Sequence, residues 1–99
     1  MKFWSVIKYK PKEGCEPEFV VGLKRLKEMF EGKRVQNFIQ LGSGEFVEIV
    51  CYDSTDIMLE LQVEGLTWLD SVDRLLERYE EENRTDAFTG NELDFHACL

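Results

Sequence analysis

The one histidine of the chain, His96, is the only side chain whose unperturbed pKa lies near neutrality. Three residues from the last, it reads either as a rim residue or as a general base, and the second role needs a substrate proton within hydrogen-bond reach. Glu48 is the other candidate for moving protons. It stands among Val47, Ile49 and Val50. A carboxylate in that company is either paired with a cation such as Lys8 or points into a polar cavity, where its pKa would rise towards that of an acid–base catalyst. Phe38, Tyr52 and Trp68 supply flat amphipathic rings for a ligand site, with Trp4 as a fourth. Each also has a packing role open to it: Trp68 beside a helical core stripe, Phe38 and Tyr52 at a contact between copies.

Metal and cofactor chemistry find little support. Cys15, Cys51, His96 and Cys98 match no tight zinc spacing, and His96-x-Cys98 alone is too little for a site. Three cysteines without a CxxC build neither a disulfide framework nor a redox pair, and they fit a reducing cytoplasm. Gly42-Ser43-Gly44 is turn chemistry, too short to cradle a phosphate. With 20 acidic residues against 12 basic ones, and a formal net charge of −8, the chain lacks the basic face that nucleic acids or anionic membranes require. No apolar run approaches the ~20 residues of a membrane-spanning helix, and the first residues do not read as a signal peptide.

These groups must be positioned by a single α+β domain over residues 1–99, since that length leaves no room for a second core. Phe3 to Lys10 is rich in aromatic and β-branched residues and stops at Pro11, as a strand does. Pro17 suits a first helical turn, and Phe19, Leu23, Leu26 and Phe30 follow on one helix face, ended by Gly32. Arg34–Leu41 and Glu45–Asp53 form a hairpin. A three-residue turn with a left-handed glycine sets residue 39 opposite 47. That register gathers Val35, Ile39, Leu41, Val47, Ile49 and Cys51 on one face, and Gln36, Phe38, Gln40, Phe46, Glu48, Val50 and Tyr52 on the other.

A short helix capped at Asp53, Ser54 or Thr55 carries Ile57, Met58 and Leu61 and breaks at Gly65. A capping box at Thr67–Asp70 starts a further helix with Leu69, Val72, Leu76 and Tyr79 on its stripe. Asn91 to Leu99 alternates as the last strand, which would let His96 face Glu48 or Tyr52 across the sheet. The element order is β-α-β-β-α-β.

Two helical segments cover one face of a four-stranded antiparallel sheet. The other face then holds Phe38, Phe46, Val50 and Tyr52, a patch too apolar to leave wet, at ~25 cal/mol per Å². A second copy on a two-fold axis would bury it; the C-terminal residues or the 57–61 helix folding over it would do the same within one chain.

The run Tyr9-Lys10-Pro11-Lys12-Glu13-Gly14-Cys15-Glu16-Pro17-Glu18-Phe19 resembles the strand–loop–helix opening of the dimeric α/β barrel superfamily, which includes the antibiotic-biosynthesis-monooxygenase-like proteins. The Asp53-Ser54-Thr55 cap, the broken helix and the final strand follow in that family's order. The resemblance implies a ferredoxin-like fold, a homodimer and a pocket on each protomer. Some members oxidise polycyclic aromatics without a cofactor and some cleave haem. The haem-cleaving members carry an Asn on the first strand and a His before the last one, and this chain has neither. The expectation is a protein that binds, or oxidises without a cofactor, a small apolar or aromatic molecule. Glu48 and His96 would handle protons, and Phe38, Tyr52 and Trp68 would line the pocket. The competing expectation is a non-catalytic module for self-association or ligand sensing.

Overall fold

In a computed structural model, which describes residues 1–98, the sheet is built from β1 (Phe3–Tyr9), β2 (Val35–Gln40), β3 (Phe46–Tyr52) and β4 (Asp86–Asn91). All pairings are antiparallel and the spatial order is β2-β3-β1-β4. Helices α1 (Glu16–Met29) and α2 (Thr55–Val72) lie on one face, giving a ferredoxin-like α+β architecture. The hairpin has the expected register, with Ile39 opposite Val47 and Gly44 at φ +91° in the turn. Only glycine takes that backbone conformation without strain.

Three expectations are corrected. First, the helices cover the face carrying Phe46, Glu48, Val50 and Tyr52, not the aliphatic one. The reason is volume: the Phe46 ring packs tilted against Phe19 of α1 with centroids 5.5 Å apart, and Tyr9, Phe19, Phe30 and Trp68 fill a gap between layers that valines would leave empty. Second, α2 runs unbroken through Gly65. Ser54 caps it by accepting the Ile57 N–H, and the Thr67 hydroxyl donates to the Val63 carbonyl inside the helix instead of starting a new one. A mid-helix glycine costs only about 1 kcal/mol, and Trp68 and Val72 anchor the following turns in the core. After Val72 the chain tightens to a 3-10 turn, Asp73–Leu75, and ties back to the exit of β1 through Glu77 N–H to Lys10 O and Lys12 N–H to Leu75 O.

Third, the last strand is Asp86–Asn91, not Asn91–Leu99. Asp86-Ala87-Phe88-Thr89-Gly90-Asn91 has weak strand propensity, and ladder pairing to β1 overrides it. Residues 95–98 form a helical turn, α3 (Phe95–Cys98), while Leu99, placed by the sequence at the strand's end, lies outside the described residues.

The α1–α2 contact depends on one small residue. A Cβ at Gly22 would sit 2.9 Å from Val72 Cγ1, and the Gly22 carbonyl accepts the Trp68 indole N–H at 2.8 Å. Gly22→Ala is therefore expected to lower stability by about 1–2 kcal/mol even after its gain in helix propensity. A denaturation midpoint at or above that of the parent would show that Val72 yields freely.

Candidate functional site

Glu48 sits mid-β3 on the helix-facing side and is only 2% exposed. Both its oxygens are engaged. The Tyr9 hydroxyl donates to Oε1 at 2.6 Å, and Arg34 Nη2 donates to Oε2 at 2.6 Å. Arg34 precedes β2 and is as buried as its partner. Its Nη1 donates to the Tyr52 hydroxyl at 2.8 Å and its Nε to Gln36 Oε1 at 3.2 Å, while the guanidinium lies 4.3 Å from the Phe30 ring centre. Gln36 is held in turn by donating to the Lys27 carbonyl at 2.7 Å. Among the described residues, no buried side-chain nitrogen or oxygen lacks a partner.

The protons of this network are assigned by its geometry. Burial, reinforced by the negative charge of Glu48, pushes the Tyr9 phenol well above its ordinary pKa, so Tyr9 keeps its proton and donates it in a hydrogen bond to Glu48. The Tyr52 oxygen accepts from Arg34, and among the described residues no acceptor takes the Tyr52 hydroxyl's own proton. A cation donating to a phenol oxygen polarises the O–H, making Tyr52 a strong donor for an incoming oxygen atom.

A cavity of about 320 Å³ lies in front of the network. Its floor is sheet: Ser5, Ile7, Tyr9, Glu48 and Tyr52, with Arg34 beside them. Its roof is one side of α2, with Met58, Leu61, Gly65, Leu66 and Leu69. Trp68 closes one wall; its indole N–H is bound to Gly22 and its ring meets Tyr9 edge-on at 5.7 Å. A largely apolar cleft with a few convergent polar groups is the usual form of a small-molecule site, and this volume is at the lower end of that range.

No family model matches the sequence, and no curated protein matches it. Solved structures do. The Rv0793 protein of Mycobacterium tuberculosis superposes with a TM-score of 0.81 at 16% identity, over 95% of this chain and 97% of that one. A candidate antibiotic biosynthesis monooxygenase of Nitrosomonas europaea gives 0.79 at 13% identity, over 93% and 90%. A NIPSNAP-family protein of unknown function from Agrobacterium tumefaciens gives 0.63 at 19%, over 95% and 90%. The fold is that of the antibiotic-biosynthesis-monooxygenase-like proteins. Identities this low establish the fold alone, and the chemistry has to be read from the residues of the cavity.

Within this monooxygenase-like fold, Glu48, Tyr52 and Trp68 come together at the cavity. Phe38 does not. It faces the helix side further along, in a separate groove beside Val20, Leu23 and Lys27 of α1. His96 lies in α3 beside Met1, Lys2, Asp53 and Glu92, not across the sheet from Glu48 or Tyr52, because the strand that would have carried it there ends at Asn91. Lys8, the expected partner of Glu48, points to the opposite face and pairs with Asp86 at 3.4 Å. Burial raises the Cys51 thiol pKa, in keeping with an inert small hydrophobe.

Sequence reasoning missed Arg34 and Tyr9. A signal for Arg34 existed. Residues 34, 36 and 38 share the parity that faces Glu48 in the hairpin register, so extending the strand by one residue nominates Arg34 as the counter-ion. Tyr9 has the same parity as Ile7, the residue opposite Glu48 on β1. Among the described residues, no helix is long and apolar enough to cross a membrane.

Proposed function

We propose that the cavity between α2 and the sheet binds a small apolar or aromatic molecule whose edge carries an acceptor oxygen, a carbonyl or phenol. The observation that carries this is a fully partnered buried Arg34–Glu48 pair set against a largely apolar cleft. Burying both ions costs several kcal/mol that well-packed hydrophobic side chains would avoid. Here the pair leaves one polarised donor, Tyr52, on the cavity wall. Binding is favoured over proton transfer by Glu48, since both of its oxygens are already occupied.

The test is isothermal titration with 1-naphthol. Saturable binding is expected, weakened about three- to tenfold in Tyr52→Phe, the loss of one hydrogen bond. Absence of saturable uptake, or equal affinity in the two proteins, would remove this reading.

Cofactor-independent oxidation is the second reading, supported by the candidate antibiotic biosynthesis monooxygenase among the structural neighbours. In such a reaction a ring methylene of a polycyclic phenol or ketone becomes a carbonyl. Dioxygen is the co-reactant: one of its atoms enters the ring and the other leaves as water with the two methylene hydrogens. Oxygen consumption during incubation with anthrone, above the protein-free rate, distinguishes oxidation from binding alone.

We also propose that the protein works as a homodimer joined through the open sheet face. This is the aliphatic face: Trp4, Val6, Val47, Ile49 and Cys51 at its centre, with Val35, Ile39 and Phe88 exposed at its edges. Lys8 and Asp86 on this face neutralise each other, and Glu92, which accepts the Trp4 indole N–H at 3.0 Å, is offset by Lys2 beside Cys51, on a chain of net charge −8. Two acidic copies can therefore meet there without repulsion. The free thiols Cys15 and Cys51 fit a reducing compartment, and the cytoplasm is the proposed location.

A further inference from the structure

Along the cavity side of α2 the sequence reads Met58, Leu61, Gly65 and Leu69, a helical stripe of long apolar side chains with one gap. The fold gives no reason for the gap. Gly65 is not among the glycines with positive φ, and it lies ten residues into an uninterrupted helix of 18. A Cβ built there meets nothing within 4 Å. Gly22, by contrast, is required by its approach to Val72, and Gly14, Gly32 and Gly44 by left-handed turns. Glycine is the poorest non-proline residue for a helix interior, so a position that needs it for neither backbone nor packing has been left small at a cost in stability.

We infer that Gly65 sets the bulk limit of the ligand: the side chain missing from the roof is the space taken by the part of the molecule remote from Tyr52. The inference rests on reading the cavity as a ligand site. It adds a size class, namely ligands larger than two fused rings, held at their oxygen by Tyr52 and passing under α2 at Gly65. Alanine, and still more leucine, at this position would lower the roof while improving the helix.

Two probes separate the cases, 1-naphthol with two rings and 1-hydroxypyrene with four, titrated calorimetrically into the protein and its Gly65→Ala and Gly65→Leu variants. The parent is expected to bind both. Gly65→Leu should keep 1-naphthol within about twofold and lose 1-hydroxypyrene by about tenfold or more, the scale on which a filled apolar pocket discriminates by size. Both variants should melt at or above the parent temperature. Parent protein that binds both probes, with Gly65→Leu retaining both or losing both alike, overturns the role of Gly65 and leaves the site reading standing. Parent protein that takes only 1-naphthol places the limit elsewhere and overturns it too. A lower melting temperature for Gly65→Ala shows that the fold itself needs the glycine, which likewise overturns its role as a size limit. If the parent binds neither probe, the ligand site falls and the inference with it.

Discussion

Replacing Arg34 with methionine is expected to destabilise the protein by about 3–5 kcal/mol, because Glu48 would remain buried without a counter-ion. For a domain of this size that is a fall in melting temperature on the order of 15 °C. The cause is an abandoned charge and not lost packing, so removing the ion pair together with its phenol donor should restore most of the loss, although Tyr52 and Gln36 each give up a bond to Arg34. In the triple variant Arg34→Met, Glu48→Leu, Tyr9→Phe, no member of the pair or its phenol donor is left unpartnered. That protein is expected to fold near parental stability and to bind 1-naphthol poorly, since Tyr52 would no longer be polarised by Arg34. Thermal melts of the single and triple variants, with titration of the triple, check both halves. Equal destabilisation in the two proteins would mean that the network holds the fold by shape. Undiminished binding in the triple would mean that the ligand never met it.

Phe88→Glu is expected to convert a dimer into separate protomers, with Val35→Glu doing the same from the other edge of the sheet. Both side chains are largely exposed in the single copy, at 63% and 59%, so a carboxylate there leaves the protomer's own packing untouched. In the dimer each would bring a charge into an apolar seam where two acidic chains meet. Sedimentation of the parent should report twice the 11.6 kDa of one chain, and the variants 11.6 kDa with unchanged circular dichroism. A stable pairing of this kind buries on the order of 1,200 Å² or more, which the combined surface of four strands can supply. Parent protein sedimenting as a single copy at tens of micromolar would overturn the proposal, as would variants that stay paired.

The hairpin shows how far local patterning reaches. Alternation over residues 34–53 and one glycine turn were enough to set Ile39 against Val47 and to bring Phe38 and Glu48 to one face. Which face meets the helices was not contained in that pattern, because both are apolar enough to be buried. The aromatic volume of Phe19, Phe30 and Trp68 on the helices decided it.

The C-terminal third was the least legible. Leu93 to Cys98 alternates like a strand, yet Asp86–Asn91 becomes β4 because β1 offers it an open ladder. This displacement carries His96 away from the cavity. Glu48 was recognisable as anomalous from its neighbours alone. Its partner was not, since Arg34 meets it only when the chain leaving α1 folds beside β3, 14 residues apart in sequence.

The sequence by itself determined the first strand, the first helix, the hairpin with its register and the class of fold, all of which follow from periodicity, turn chemistry and amphipathic stripes acting over short separations. Only the tertiary structure decided which sheet face is covered, which cation neutralises Glu48 and where the cavity lies. Those outcomes depend on volumes and charges brought together across 14 to 46 residues, as in the Arg34–Glu48 pair and the Trp68–Gly22 contact, and no local pattern encodes such a meeting.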